Sequence, residues 1–129
     1  MTASDDAAAA VLVLTTTADD ESARALSRAL VEEGLAACVT RMPVRSVFRW
    51  ESPPAGGDVS SVQQLRVCEE EEVLLVIKAA RVCAAELERR IVELHPYECA
   101  EVIRIVPEHV EAKYLAWLLA ACATGTTSD

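Results

Sequence analysis

Apolar positions along the chain follow two periods. Val11-Leu12-Val13-Leu14 and Val73 to Ile77 are continuous apolar runs, the pattern of strands buried on both faces. Val44 to Glu51 alternates instead. Val44, Ser46, Phe48 and Trp50 fall on one side, and Arg45, Val47, Arg49 and Glu51 on the other, as in a half-buried strand. Leu35 to Val39 opens that second strand, and Pro43 is expected to interrupt it at an edge or a bulge. Val102 to Val106 forms a further strand, stopped by Pro107.

Helical spacing separates these runs. Ala23, Leu26, Leu30 and Val31 recur at three and four. Thr15 to Asp20 supplies turn and N-cap chemistry, Asp19, Asp20 and Glu21 suit the helix start, and Gly34 sits just past its end. A second helix is predicted over Arg81 to Leu94, with core positions Ala84, Leu87, Ile91 and Leu94 and a Glu86/Arg90 pair at i,i+4. A third, starting near Glu108 or Val110, carries the stripe Leu115, Leu118, Cys122.

The predicted order is strand, helix, strand, strand, helix, strand, helix. Two tandem strand-helix-strand units indicate an α+β, ferredoxin-like βαββαβ sandwich with an extra C-terminal helix. Its first and third strands, central in that fold, are the two continuous apolar runs. Two crossover helices cover one face of the sheet, and one further helix is too little for the other. That mismatch predicts self-association. Residues 11–122 form one domain, flanked by disordered segments at 1–10 and 123–129. Residues 52–68 read as an inserted hairpin loop, opened by Ser52-Pro53-Pro54-Ala55-Gly56-Gly57-Asp58. Val59 to Val67 reads as an extension of the hairpin. Glu69 to Glu72 reads as a solvated entrance to the third strand, with a loosely held hard cation as the less frequent alternative.

Charge and cysteine usage narrow the function. A net charge of −9 over 129 residues argues against nucleic acid. No apolar run approaches the length of a bilayer span. The first ten residues lack the basic start of a secretory signal. Cys38, Cys68, Cys83, Cys99 and Cys122 are odd in number, widely spaced and without a Cys-x-x-Cys. They read as free thiols of a reducing, cytoplasmic compartment. No nucleotide cradle or other cofactor motif is visible.

The chemistry concentrates in Leu94-His95-Pro96-Tyr97-Glu98-Cys99-Ala100-Glu101, where Pro96 ends a helix and a stiff connection carries imidazole, phenol, thiol and carboxylates. His-Pro at a helix end equally reads as a stop signal, with His favoured by the helix dipole. As a loop imidazole, His95 is expected to add little to the core.

Five blocks in order carry a family resemblance. They are Leu35-Ala36-Ala37-Cys38-Val39, Ser46-Val47-Phe48-Arg49-Trp50-Glu51, Glu71 to Lys78, His95-Pro96-Tyr97-Glu98 with Glu101, and Tyr114-Leu115-Ala116-Trp117-Leu118. Over Val11 to Leu119 the chain resembles the CutA family, associated with divalent-cation tolerance. The resemblance implies a ferredoxin-like homotrimer with a metal-linked role and no established reaction. No cofactor is obligatory, and copper or another divalent metal is the candidate ion. Cys38 and His95 match positions implicated in metal contact, and Glu101 adds an oxygen. Trp50, Lys78, Tyr97 and Glu98 match the other motif positions, as the lining of an intersubunit cleft or as subunit contacts. The family's trimer resembles that of PII-type signalling proteins, so a small-ligand module is the alternative. An enzyme using His95 with Glu98 or Glu101 as acid and base ranks last, for want of a nucleophile or oxyanion loop. The family has Asn at Thr40, Tyr at Phe48 and Pro at Ala100, and a shorter hairpin, by about a dozen residues.

Overall fold

The structure is a computed structural model describing residues 9–52 and 64–122. Its elements are β1 (Ala10–Thr17), α1 (Asp20–Glu32), β2 (Cys38–Ser52), β3 (Gln64–Ala80), α2 (Ala84–Leu94), β4 (Ile103–Ile105) and α3 (Ala112–Ala121), with a 3-10 turn at Arg81–Cys83 before α2. The sheet is four-stranded in the order β2-β3-β1-β4. All three pairings are antiparallel. This is the expected ferredoxin-like sandwich, with β1 and β3 in the centre.

Side-chain alternation divides the sheet into two faces. Val11 and Val13 of β1, with Leu75, Ile77 and Ala79 of β3, are fully buried beside Ala23, Leu26 and Leu30 of α1 and Leu87 and Ile91 of α2. Thr15 and Thr17 lie on the same buried face. They belong to β1, which runs on to Thr17 instead of turning at Thr15. The opposite face carries Leu12, Leu14, Leu74 and Val76, which are only half-buried. Met42, Ile103 and Ile105 beside them are exposed. Helix α3 packs on β1 and β3. It sits at one end of this second face, where the Ala80 amide donates to Cys122 Sγ at 3.3 Å.

Local chemistry sets the helix ends. Asp19 caps α1, its carboxylate accepting from the Ser22 amide at 2.8 Å, and Gly34 takes the positive φ of 78° past the end. Val31 is exposed, outside the core stripe. Helix α2 starts at Ala84 after the 3-10 turn, later than the predicted Arg81. The predicted Glu86/Arg90 pair does not form. Glu86 pairs with Arg89, while Arg90 reaches across to Glu33 of α1 at 2.8 Å and to Glu93 at 2.9 Å. Arg90 thus ties the two helices together.

The hairpin differs most from expectation. Strand β2 is continuous through Pro43, which lies opposite Val73. The ring is tolerated because β2 is an edge strand and needs no donor on its outer side. Residues 64–68, expected within the inserted hairpin loop, are strand paired with residues 48–52, which makes 64–67 the hairpin extension read over Val59 to Val67. The rest of the insertion, 53–63, lies outside the described residues, as do 1–8 and 123–129. Strand β1 stops at Thr17, opposite Val73. The pairs from Val44↔Glu72 to Ser52↔Gln64 therefore form a two-stranded arm beyond the sheet, roughly 30 Å long at 3.3 Å per residue.

Candidate functional site

His95 is the first residue after α2 and its backbone is extended, with φ −71° and ψ 136°. Pro96 forces that conformation and stops the helix. The imidazole turns inward and is 7% exposed. The Tyr97 amide donates to Nδ1 at 3.0 Å. Nδ1 is therefore the acceptor, and Nε2 carries the proton that it donates to the Thr16 carbonyl at 2.8 Å. Both ring nitrogens are spent on backbone groups. The ring is a brace between β1 and the 95–101 segment, and it offers no lone pair to a metal. The expectation that a loop imidazole adds little to the core is corrected by this burial. Replacing His95 by Ala orphans the Thr16 carbonyl and the Tyr97 amide, each worth about 1–3 kcal/mol when left unpaired. Urea denaturation should show the loss, and an unchanged midpoint would refute the bracing role.

The brace positions Tyr97. Its ring lies 4.9 Å from that of His95, and its hydroxyl donates to Glu72 Oε2 at 2.8 Å. Burial, then the hydrogen bond to Glu72, pushes the phenol well above its ordinary range. Tyr97 therefore stays protonated and pins the connection against the base of the arm.

An open cleft of about 800 Å³ lies between the arm and this connection. Trp50, Tyr97, Glu98 and Glu101 all line it, so four of the seven sequence candidates share one site. Phe48 and Trp50 form an edge-to-face pair, with centroids 6.5 Å apart and planes at 85°. Alternation explains the opposite wall. Glu70 and Glu72 of β3 line the cleft with Cys68, while Glu71 turns away and faces Arg45 at 3.6 Å. The acidic run is thus only half in the site. Sequence analysis leaves Cys68 among the free thiols and reads Glu69 to Glu72 as a solvated strand entrance, outside the candidate site, because the length of β3 is not legible in it. Period-two alternation through Glu69–Glu72 was the signal that would have found them.

Cys38 and Lys78 lie elsewhere. They are cross-strand partners, with Lys78 Nζ 3.8 Å from Cys38 Sγ and donating to Thr40 Oγ1. Lys78 is six residues along β3 from Glu72, roughly 20 Å away at 3.3 Å per residue. Cys38, His95 and Glu101 therefore do not converge within one chain. A metal site shared by the three would therefore need groups from more than one copy. Among the described residues no cluster of three His, Cys, Asp or Glu side chains is poised to hold a metal.

The family model described as CutA1 divalent ion tolerance protein matches residues 11–121. The divalent-cation tolerance protein CutA of Thermus thermophilus is 34% identical over a stretch covering 76% of this chain and 84% of that protein. Protein CutA of Mus musculus is 33% identical over 74% of this chain and 48% of its own length, so the chain spans about half of the mouse relative. The crystal structure of CutA1 from Pyrococcus horikoshii superimposes with a TM-score of 0.75 at 31% identity, covering 90% of this chain and 99% of that one. The periplasmic divalent cation tolerance protein CutA from Archaeoglobus fulgidus, 22% identical, shares the fold with a TM-score of 0.74 over 88% of this chain and 99% of that one.

Proposed function

The chain belongs to the CutA1 family of divalent ion tolerance proteins, and from that premise we propose that it acts as a homotrimer in divalent-cation tolerance, without catalysing a reaction. The observation that carries the reading is the sheet face that α1 and α2 leave open, with half-buried Leu12, Leu14, Leu74 and Val76 and exposed Met42, Ile103 and Ile105. An apolar area of this kind calls for a partner surface. A second copy would supply one, and a trimer is what the family resemblance implies. The arm supports the same reading. A two-stranded ribbon is marginal alone in water, and on the face turned from the cleft this one exposes Val47 and Val67, the latter at 75%.

Metal contact in the trimer falls to carboxylate and thiol groups. Glu101 with Glu98, Cys68 and Cys99 lines the cleft, and Cys38 stands on the open face, where copies meet. Thiolate favours Cu(I) among the candidate ions. All five cysteines are free, which fits a reducing, cytoplasmic setting.

Sedimentation at low micromolar concentration should give a trimer, and a folded monomer would overturn the assembly. Anaerobic competition for Cu(I) against a chelator should weaken in Cys38→Ser or in the Cys68→Ser/Cys99→Ser pair. Affinity unchanged in both would remove thiols from the function. A second reading, a small-ligand module of PII-like shape, is favoured by the 800 Å³ cleft, whose size falls within the usual range of ligand pockets.

A further inference from the structure

The cleft is built so that its lining selects among small ligands. Its wall on β2 is aromatic, the Phe48–Trp50 pair, with Trp50 51% exposed and Tyr97 closing the base. Beside it on the same face of the arm stand Glu70 and Glu72 of β3, and Glu98 and Glu101 line the cleft from the connection after His95. Arg49 is the single basic residue among those lining it.

We infer that this cleft receives an organic cation, an alkylammonium or polyamine whose apolar stem lies on the Phe48–Trp50 wall and whose ammonium groups meet the glutamates. The inference rests on the second reading above, that the cleft is a small-ligand site, and names the ligand's class. The apolar wall rewards burial of a methylene chain. The ring faces attract a cation within about 6 Å of their centroids. The net negative lining attracts the same charge and raises its local concentration. Glu72 is half engaged, one oxygen accepting from Tyr97.

The same chemistry excludes the obvious competitors. A nucleotide would bring phosphates against four carboxylates. Within one chain a bare divalent metal gains nothing from an aromatic wall and meets no cluster of three donors among the described residues, so in this cleft it would need donors from a second copy. The other occupant with matching chemistry is a Lys or Arg side chain from a second copy of this chain, which would fill the cleft permanently in the assembly.

The test uses the full chain. The sequence has two tryptophans, Trp50 and Trp117. In a Trp117→Phe variant the emission reports on the cleft alone. Titration with spermidine at low ionic strength should give a saturable change in Trp50 emission, weakened by added salt and absent with ATP. Calorimetry should show spermidine binding about tenfold weaker in Trp50→Leu, by the loss of one cation–π contact, and weaker again in Glu70→Gln/Glu98→Gln. A response reproduced by Mg²⁺, or one indifferent to Trp50→Leu, would reduce the cleft to an acidic surface and overturn the inference. Binding of ATP without spermidine would keep the small-ligand reading and refute the cationic class. If neither binds while sedimentation shows a trimer, the inference and the ligand reading both fall, and a partner side chain fills the cleft.

Discussion

Val76→Lys is expected to leave the chain folded and to abolish its self-association. Val76 stands in β3, in register with Leu14 of β1 and Thr40 of β2, on the face that α1 and α2 do not cover. In an isolated chain it is half-buried. A lysine stem can lie along such a surface with its ammonium in water, so the cost to the single chain is small. In an assembly that buries the face, the ammonium would lie between Leu14 and Thr40, with no carboxylate in register beside it. Burying an unpaired charge costs several kcal/mol per ion. A trimer buries three, which should shift association by well over a hundredfold at about 1.4 kcal/mol per decade. Sedimentation velocity and circular dichroism measured together check this. A variant that still sediments as a trimer would show that the copies meet elsewhere.

Ile77→Ala should have the largest effect on the chain's own stability. Ile77 is one residue from Val76 but points to the other face, fully buried and in register with Val13 and Val39. Truncation removes three carbons from a site fixed by two neighbouring strands and the helices above, so the cavity collapses poorly. The expected loss is about 2–5 kcal/mol, against about 0.5–1.5 for Ile77→Val. Both should be read from urea unfolding at one fixed protein concentration, because assembly adds to apparent stability. A loss below that of the valine variant would contradict the assignment of this face as the core. Together the two variants separate adjacent residues into opposite roles, one for the fold and one for its partners.

The fold was legible because its signals are local. Continuous apolar runs identified β1 and β3 as central, and helical spacing placed Leu26, Leu30, Leu87 and Ile91 under the same face. Signals that depend on distant partners were not legible. Thr15 and Thr17 look like turn residues, yet they extend β1 because Leu75 and Val73 stand opposite them. Pro43 looks like a break, yet β2 passes through it because its outer edge is unpaired. Residues 64–68 carry charge and no clean alternation, and only pairing with 48–52 makes them strand. The site divided in the same way. The His-Pro-Tyr-Glu block marked the right connection, and the alternation from Val44 to Trp50 marked the right wall. The direction in which His95 turns is decided by the Thr16 carbonyl, seventy-nine positions away, which no local pattern reveals.

The strand order has a consequence for how the chain is made. β1 is made before the other three strands, yet it lies between two of them in the sheet. Its partners, Ala80 for Ala10 on one side and Ile105 for Leu12 on the other, come 70 and 93 positions later. The β2–β3 hairpin and both crossover helices can form from near neighbours, while closing β1 between its partners demands contacts remote in sequence, which are slow to form. Val11 to Leu14 thus spends most of synthesis as an unpaired apolar strand with both edges open, the kind of segment that associates wrongly when nascent chains crowd. For this protein the hazardous interval is co-translational, and its length is set by the time taken to reach Ile105.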